Sequence, residues 1–287
     1  MPEVAAVDGL ITPLAAAVVP VTDRGLLYGD HVFEVAVAVA GRVIDGSAHL
    51  ARLADGAAQL GLPPPAAALP SWIAAALAAA ALPRAVVRVV WTRGDGAGVR
   101  PSPTARGRAI VLVTAWTDPP PAPLTLATVA IDRSGRSGAL VPAAVKSGNY
   151  LASVLALAAA EAVGADDALL VDPEDQVCET ATGNVAIVEG GAVWFAAGAA
   201  LAGVTAARVA ALLRADGVVV GATAITRSRL AAADEVFVTS SRRGVVAVAR
   251  LDDVSWRPGP TTARAADRYR AWRDGAPAGD AAPPAAL

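Results

Sequence analysis

One residue type is almost missing from this chain, and its single representative is the first candidate for chemistry. Of the 24 lysine and arginine residues, only Lys146 is a lysine. Arginine keeps its proton and forms no Schiff base, whereas the primary amine of lysine forms one with a carbonyl compound. In an Ala- and Arg-rich composition, a retained lysine indicates a position that needs a primary amine. The alternative is a surface lysine that was retained by chance.

Three other segments carry groups that would complement an amine-bound cofactor. Glu179 lies in a run of small residues, 177–184, that is predicted as a turn before a hairpin. Gly203-Val204-Thr205 begins a predicted helix, where free backbone N–H groups and the helix dipole favour a phosphate. Thr239-Ser240-Ser241 ends a predicted strand and adds hydroxyl groups. An amine, a carboxylate and phosphate donors are the groups that pyridoxal phosphate requires.

Composition excludes several other classes of protein. With 287 residues and a net charge of −2, we expect one or two domains and no nucleic-acid partner. We expect no membrane segment and no signal peptide, because no apolar stretch is long enough. Cys178 is the only cysteine, which fits a reducing cytoplasm, and two histidines argue against a histidine-based metal cluster.

Hydrophobic periodicity and Gly or Pro boundaries predict alternating strands and helices. Strands are expected at 32–40, 43–44, 86–91, 109–116, 168–171, 185–188, 192–195, 218–221, 235–239 and 245–251. Helices are expected at 47–61, 71–82, 149–163, 205–213 and 261–273. The Pro-rich residues 118–124 predict a linker between a small α/β domain, 1–117, and a cofactor-binding domain, 125–275. Residues 276–287 are predicted to be a flexible tail.

Six segments, in this order, resemble the fold-type IV pyridoxal phosphate enzymes, which are the class IV aminotransferases. The resemblance extends from Asp23 to about Asp252, and within the family it is closest to D-amino acid transaminases and aminodeoxychorismate lyases. The matching segments are 23–34, 49–53, 146–150, 179–184, 201–205 and 233–241.

The resemblance implies an α/β (α+β) fold of two domains, with the cofactor in the cleft between them, and a homodimer. It implies that Lys146 holds the cofactor and moves the substrate proton, and that Glu179 pairs with the pyridine nitrogen. It assigns the phosphate to Arg52, Val204, Thr205, Ser240 and Ser241, and it places Tyr150 and Asn184 near the cofactor ring.

Three local features distinguish the branches of this family. The spacing of Lys146 and Asn149 resembles D-amino acid transaminases and the lyases, while branched-chain enzymes usually have one more residue here. The lyases resemble one another in a threonine at the position of Val35, which cannot transfer a proton. In the loop that holds the substrate carboxylate of D-amino acid transaminases, the usual arginine is Gly98, and Arg100 replaces a histidine.

The substrate pocket is predicted to contain Tyr28, His31, Phe33, Val35 and Arg100. We expect amino transfer from a D-amino acid to a 2-oxo acid, with (R)-amines as further donors if the carboxylate site is displaced. The alternatives are a lyase that forms 4-aminobenzoate and pyruvate from aminodeoxychorismate and, ranked lower, a branched-chain L-amino acid aminotransferase.

Overall fold

The computed structural model describes residues 3–96, 98–119, 122–131 and 142–275, and these form two compact units. The first unit contains the chain up to Asp118 together with the short segment Val145–Asn149. The second contains the rest of the described chain from Pro119 onward. The predicted tail, 276–287, and residues 120 and 121 of the predicted linker lie outside the described residues.

The first unit is an antiparallel sheet with two helices on one face. Its strands are β1 (Val4–Val7), β2 (Leu10–Pro13), β3 (His31–Val39), β4 (Arg42–Val43), β5 (Arg84–Thr92) and β6 (Arg108–Ala115), in the order β2-β1-β6-β5-β3-β4. Its helices are α1 (Arg24–Tyr28), α2 (Gly46–Gln59) and α3 (Leu69–Ala80), and Leu14–Ala16 form a 3-10 turn. Apolar residues of α2, α3 and the sheet make one core, which includes Leu53, Ile73 and Val87.

The second unit is a nine-stranded mixed sheet with helices. Its strands are β7 (Leu124–Ala130), β8 (Asp167–Val171), β9 (Val177–Thr180), β10 (Asn184–Glu189), β11 (Ala192–Ala196), β12 (Val220–Thr223), β13 (Glu235–Ser240), β14 (Gly244–Leu251) and β15 (Val254–Ser255). The order is β12-β11-β10-β13-β14-β7-β8-β9, and β15 pairs with β14. Its helices are α4 (Leu151–Ala162), α5 (Val204–Ala215), α6 (Arg227–Ala231) and α7 (Pro260–Gly275).

Both units combine sheets and helices, which confirms the predicted α/β class. Two predicted elements need correction. Residues 177–180 form the buried strand β9 rather than a turn, because the chain pairs with β8 there and all four side chains are buried. The strand predicted at 218–221 lies at Val220–Thr223, where its register with β11 places it.

The segment that carries Lys146 belongs to a different unit from the one that the predicted domain boundaries give it. It lies within the predicted second domain, yet Val145–Asn149 groups with the first unit. The reason is local, since Val145 packs in the core of that unit and Ser147 forms a bridge to Val32. Within the described residues, no helix combines the length and apolar character that crossing a bilayer requires.

Candidate functional site

Backbone hydrogen bonds fix the position of Lys146 against the start of β3. The amide of Phe33 donates to the Lys146 carbonyl at 2.9 Å, and the amide of Gly148 donates to the His31 carbonyl at 2.8 Å. Ser147 pairs with Val32 between these two bonds. The lysine segment therefore extends along β3 like a short extra strand, and the main chain of Lys146 has a defined place.

The side chain of Lys146 lies against an aromatic ring. Its Nζ is 4.7 Å from the ring centroid of Phe33, which is 3% exposed, and the Arg88 guanidinium lies 4.3 Å from the same centroid. Val35 is opposite Arg88 in the sheet register and points to the same face of β3 as Phe33. The structure thus brings together three of the predicted residues, Lys146, Phe33 and Val35, and adds Arg88.

His31 occupies the space above Gly148. A Cβ atom at Gly148 would lie 2.1 Å from His31 Cε1, so only glycine fits there beside the ring. Nδ1 of His31 is buried and has no hydrogen-bond partner among the described residues. Burial lowers the pKa of His31 below its ordinary value. The imidazole therefore packs directly against the lysine segment at Gly148.

Tyr28 lies at the C-terminal end of α1, about half exposed, with the Arg24 guanidinium 4.8 Å from its ring centroid. Gly29, which follows it, ends the helix with a φ of 65° and lies close to the Asn149 side chain. A side chain at Gly29 would be strained and would meet Asn149 Oδ1 at 2.8 Å. The turn after α1 and the end of the lysine segment are thus fitted to each other.

Arg52 is held by a buried carboxylate. Its Nε and Nη2 donate to Oε1 and Oε2 of Glu34, each at 2.7 Å, and Nδ1 of His49 lies 2.7 Å from Oε2. Burial acts to raise the pKa of Glu34, but the hydrogen bonds from Arg52 and His49 outweigh it and lower the pKa to about 2. Glu34 therefore stays ionised and fixes Arg52.

Arg24 anchors the loop that carries Arg100. Its Nη1 and Nη2 donate to the carbonyls of Gly98 and Val99 at 2.6 and 2.9 Å, and its Nε donates to Asp30 at 2.8 Å. Gly98 has a φ of 74°, which turns its carbonyl toward Arg24 at little steric cost. Arg100 itself is exposed.

Arg93 fixes the beginning of the same loop. It forms a two-pronged pair with Asp30, at 2.7 and 3.1 Å, and it also donates to the carbonyls of Leu60 and Gly61 after α2. Burial acts to raise the pKa of Asp30, but the bonds from Arg93 and Arg24 outweigh it and lower the pKa. The loop is therefore tied to the body of the first unit at two places.

In the second unit, Glu179 and Asn184 both bind the backbone of Leu201. Glu179 is 7% exposed, and its Oε2 accepts from the Leu201 amide at 3.2 Å. Asn184 Nδ2 donates to the Leu201 carbonyl at 2.7 Å, and its Oδ1 lies where a Cβ at Gly203 would be. The segment before α5 is thus held by two polar side chains of the sheet, and Gly203 is required by this contact.

The N-terminus of α5 forms a donor-rich corner with the turn between β13 and β14. Gly203 is the N-cap residue of α5 and has no side chain that could accept a hydrogen bond. The first amides of the helix therefore receive no side-chain cap. Thr205 Oγ1 lies 3.5 Å from Ser241 Oγ. Ser240 Oγ accepts from the Arg243 amide in the same turn. Val204, Thr205, Ser240 and Ser241 are therefore neighbours, as a phosphate site requires.

Asp167 connects two parts of this region. The carboxylate is fully buried, and its Oδ2 accepts hydrogen bonds from Thr182 Oγ1 and, at 2.7 Å, from Arg243 Nη1. Thr182 lies just after β9, which carries Glu179, and Arg243 lies in the turn between β13 and β14 that carries Ser241 (the serine turn). Tyr150 joins the first of these parts separately, because its hydroxyl donates to the Ala181 carbonyl at 3.0 Å.

The residues that orient these groups were not among the predicted site residues: Arg24, Asp30, Glu34, His49, Arg88, Arg93, Asp167 and Arg243. One of them had a recognisable signal. Glu34 is the only charged residue in the apolar run 32–40, and a carboxylate inside a buried strand needs a cationic partner. The others depend on contacts between distant parts of the chain.

The sequence matches the family model described as "Amino-transferase class IV" over residues 31–251. A putative branched-chain-amino-acid aminotransferase from Methanocaldococcus jannaschii is 33% identical over 243 residues, which cover 82% of this chain and 83% of that protein. A branched-chain-amino-acid aminotransferase from Pseudomonas aeruginosa is 32% identical over 130 residues, which cover 44% of this chain and 42% of that protein.

Solved structures give the same fold. A branched-chain amino acid aminotransferase solved in complex with N-(5'-phosphopyridoxyl)-L-glutamate is 26% identical with a TM-score of 0.87, covering 97% of this chain and 96% of that one. A branched-chain aminotransferase from Thermoproteus uzoniensis, solved with norvaline, is 23% identical with a TM-score of 0.88, covering 96% of both chains. The latter likeness concerns the fold alone.

The chain belongs to the class IV amino-transferase family. Its cofactor is therefore pyridoxal phosphate, and its substrates are a small amino donor and a small oxo acceptor. The family and the cofactor predicted from the sequence are confirmed. The two curated relatives carry the name of branched-chain enzymes rather than of D-amino acid transaminases.

The residues present suit this cofactor. Lys146 supplies the chain's only lysine amine, and Glu179 is a buried carboxylate. The start of α5 offers amides beside the hydroxyls of Thr205 and Ser241, which together suit a phosphate dianion.

Proposed function

We propose that this protein transfers an amino group between a branched-chain L-amino acid and a 2-oxo acid. The observation that carries the proposal is the 33% identity with the Methanocaldococcus jannaschii relative, named a putative branched-chain-amino-acid aminotransferase, over 82% of the chain. This ranking differs from the one that the sequence motifs favour, in which a D-amino acid is the donor.

The loop geometry supports the same ranking. The arginine that D-amino acid transaminases use for the substrate carboxylate corresponds by resemblance to Gly98 in this chain. Here the Gly98 carbonyl accepts a hydrogen bond from Arg24 at 2.6 Å, so this position contributes a backbone acceptor to the protein's own structure rather than a cation to the substrate. Arg100 lies two positions after Gly98, and it is the loop cation that we assign to the substrate carboxylate.

In this proposal, Lys146 is the catalytic residue. When bound, the cofactor supplies an aldehyde for a primary amine and an electron-accepting ring. The Lys146 amine takes the α-proton from the donor and returns a proton to the product side, and the bonds to β3 keep it in place. Phe33 forms an apolar wall beside Nζ, with Val35 and His31 on adjacent parts of the pocket.

The remaining residues bind and orient the cofactor. Glu179 is the carboxylate that would pair with the pyridine nitrogen, and its charge would keep that nitrogen protonated. The residues that would hold the phosphate are Arg52 through its guanidinium, Val204 and Thr205 through the first amides of α5, and Ser240 and Ser241 through their hydroxyls. Tyr150 and Asn184, each fixed by a hydrogen bond to a backbone carbonyl, would orient the edge of the ring.

A D-amino acid as the donor is the second candidate. The observation that favours it is the three-residue spacing between Lys146 and Asn149, which resembles that of D-amino acid transaminases. An (R)-amine donor belongs to the same candidate, because a displaced carboxylate site would admit it. The lyase ranks below both, because Val35 has no hydroxyl with which to transfer a proton.

Donor preference tests the proposal directly. We would measure kcat/KM for L-leucine, L-valine, L-isoleucine and D-alanine with 2-oxoglutarate as acceptor, and pyruvate release from aminodeoxychorismate without any acceptor. The proposal requires the three L-amino acids to exceed D-alanine by at least about tenfold. A preference for D-alanine would replace it with the second candidate, and pyruvate release alone would replace it with the lyase.

The Lys146→Ala variant is the control for all three reactions. Loss of the proton-transferring amine should reduce kcat by more than about a hundredfold. Activity that survives in this variant would show that the reaction assigned to the lysine takes place elsewhere or depends on a contaminant.

We also propose that the protein is a homodimer, as the resemblance implies. The exposed apolar side chains of Leu26 and Leu27 on α1, 67% and 50% exposed, support this, because a second copy would cover them. Sedimentation velocity should give twice the chain mass of 28.6 kDa, and a single species at the monomer mass would overturn the proposal.

A further inference from the structure

A cavity of about 510 Å³ lies in the first unit, between the sheet and the helices α2 and α3. Its walls are mostly aliphatic, with Ala36, Val87 and Val89 from the sheet and Leu50 and Ile73 from the helices. This volume is in the range of small-molecule sites, about 300–1,000 Å³. The aliphatic residues of its walls have no role in the proposed amino transfer, whereas Glu34 in its lining also holds Arg52, the proposed phosphate contact.

The cavity is separated from the lysine segment by the sheet itself. Alternate residues of β3 point to opposite faces, so Glu34 and Ala36 face the helices whereas Phe33 and Val35 face the other side. Lys146 lies against Phe33 and therefore on that other side. A molecule in this cavity would not occupy the space of the amino donor.

The polar lining of the cavity consists of Arg42 and Ser47, which are partly buried, and of the buried pair His49 and Glu34. Both are at least nine-tenths buried, and Nδ1 of His49 lies 2.7 Å from Glu34 Oε2. Both oxygens of Glu34 are also bound by Arg52 at 2.7 Å, so the carboxylate is fully engaged. Among the described residues, none hydrogen-bonds Nε2 of His49. His49 lines the cavity, so this nitrogen is the one that a ligand there could bind.

The chemistry of this pair selects the ligand. A carboxylate only accepts hydrogen bonds, so Nδ1 of His49 must carry a proton toward Glu34. Nε2 then offers a lone pair when the ring is neutral and an N–H when it is charged. A hydroxyl group suits both states, because it donates and accepts. At this buried end the charge of Glu34 is already balanced by Arg52, so a neutral ligand group suits it better than an ion.

We propose that this cavity is a binding site for a small, neutral, apolar molecule with a single hydroxyl group, which hydrogen-bonds to Nε2 of His49. The aliphatic walls bind the apolar body of the ligand, and His49 orients its hydroxyl. A phenol or a long-chain alcohol has this chemistry.

Calorimetric titration of the holoenzyme with a matched pair of probes tests the site. 4-Propylphenol and propylbenzene differ only in the hydroxyl group. We expect 4-propylphenol to bind once per chain and propylbenzene to bind roughly tenfold more weakly, the ratio expected for one lost hydrogen bond. Equal affinities would overturn the role of His49, and no saturable binding of 4-propylphenol would overturn the site.

Two variants locate the binding. Ala74 and Ala75 are neighbouring exposed residues of α3, and of the two only Ala74 lines the cavity. Ala74→Trp should abolish the binding of 4-propylphenol, whereas Ala75→Trp should leave it unchanged, and both should keep the kcat of the wild type. Ala36→Leu, which fills the cavity from the sheet side, should also weaken binding at least about tenfold. Binding that survives Ala74→Trp and Ala36→Leu would place the probe elsewhere and overturn the proposal.

Discussion

Glu34 and Arg52 form a bidentate ion pair, in which Nε meets Oε1 and Nη2 meets Oε2, each at 2.7 Å. Glu34 is on β3 and Arg52 on α2, so the pair also joins the sheet to the helix. A bidentate pair fixes the plane of the guanidinium as well as its position. The proposed phosphate contact of Arg52 therefore depends on a carboxylate that does not itself touch the cofactor.

The Glu34→Gln variant should reveal how much stability depends on this carboxylate. The pKa of Glu34 is lowered from 4.5 to about 2 in the folded chain, so its ionised form stabilises the fold above about pH 4.5. That contribution, about 3 kcal/mol, is lost as the pH falls from about 4.5 toward 2. In denaturant titrations, the unfolding free energies of wild type and variant should differ strongly near neutral pH and only slightly near about pH 2.

Glu161→Gln serves as the matched control, because Glu161 is exposed on α4. It should leave the unfolding free energy within about 0.5 kcal/mol of the wild type at every pH. A Glu34→Gln difference that does not shrink in acid would contradict the assignment of a low pKa to Glu34.

The contact between His31 and Gly148 predicts a pair of substitutions that compensate each other. Gly148 has a φ that alanine can adopt, yet a Cβ there would lie 2.1 Å from the His31 ring. Gly148→Ala should lower the unfolding free energy by about 1–3 kcal/mol and reduce kcat, since Lys146 is two residues away.

His31→Ala should restore at least half of the stability lost in Gly148→Ala, because it removes the ring that the new methyl group meets. Thermal denaturation of the two single variants and of the double variant measures this coupling. Additive losses would mean that Gly148 is required for another reason.

Arg24→Ala should affect substrate binding more than turnover. Its side chain holds the carbonyls of Gly98 and Val99, next to the proposed carboxylate contact Arg100. When this anchor is removed, we expect KM for the amino acid to rise about tenfold while kcat changes less. Without the anchor, the loop must be ordered when the substrate binds, and this cost weakens binding rather than turnover. Steady-state kinetics of Arg106→Ala, an exposed arginine of the same loop, gives the comparison and should match the wild type.

If Arg24→Ala instead lowers kcat and leaves KM unchanged, Arg100 does not bind the ground-state substrate. An Arg100→Ala variant with normal kinetics for the preferred amino acid would lead to the same conclusion.

Asp167 and Arg243 should behave as one unit in cofactor binding. The buried carboxylate joins the end of β9 to the serine turn, so Asp167→Ala should weaken pyridoxal phosphate binding, measured by the quenching of tryptophan fluorescence. The effects of Asp167→Ala and Arg243→Ala should be less than additive by about 1–3 kcal/mol. Asp166→Ala, which removes the exposed neighbouring carboxylate, should leave the dissociation constant unchanged.

Local sequence patterns were sufficient for most of the regular elements but not for every one. The apolar spacing of Leu50, Leu53 and Ala57 predicts α2, and Gly190-Gly191 marks the hairpin of β10 and β11. The β1–β2 hairpin was missed, although Asp8-Gly9 is a strong turn signal and both residues have positive φ. Strand β9 was missed because all its side chains are buried, so it shows no alternation.

The residues of the candidate site also fall into two groups, those that local sequence predicts and those that it does not. Lys146 and the start of α5 could be found from residue type and local pattern alone. The residues that orient them could not, because Arg24 binds carbonyls 74 and 75 positions away and Asp167 binds an arginine 76 positions away. No local spacing records such contacts, and only the folded chain brings these residues together.

The single lysine has a practical consequence for measuring occupancy. A protease that cleaves only after lysine has one target bond in this sequence, the one that follows Lys146. A lysine whose amine carries the reduced cofactor bears a bulky, phosphate-containing group that such a protease does not accept. If the bond between lysine and cofactor is first reduced and the chain is then denatured, the protease cuts only the molecules that held no cofactor. The fraction of chains that are cut therefore equals the fraction of vacant sites.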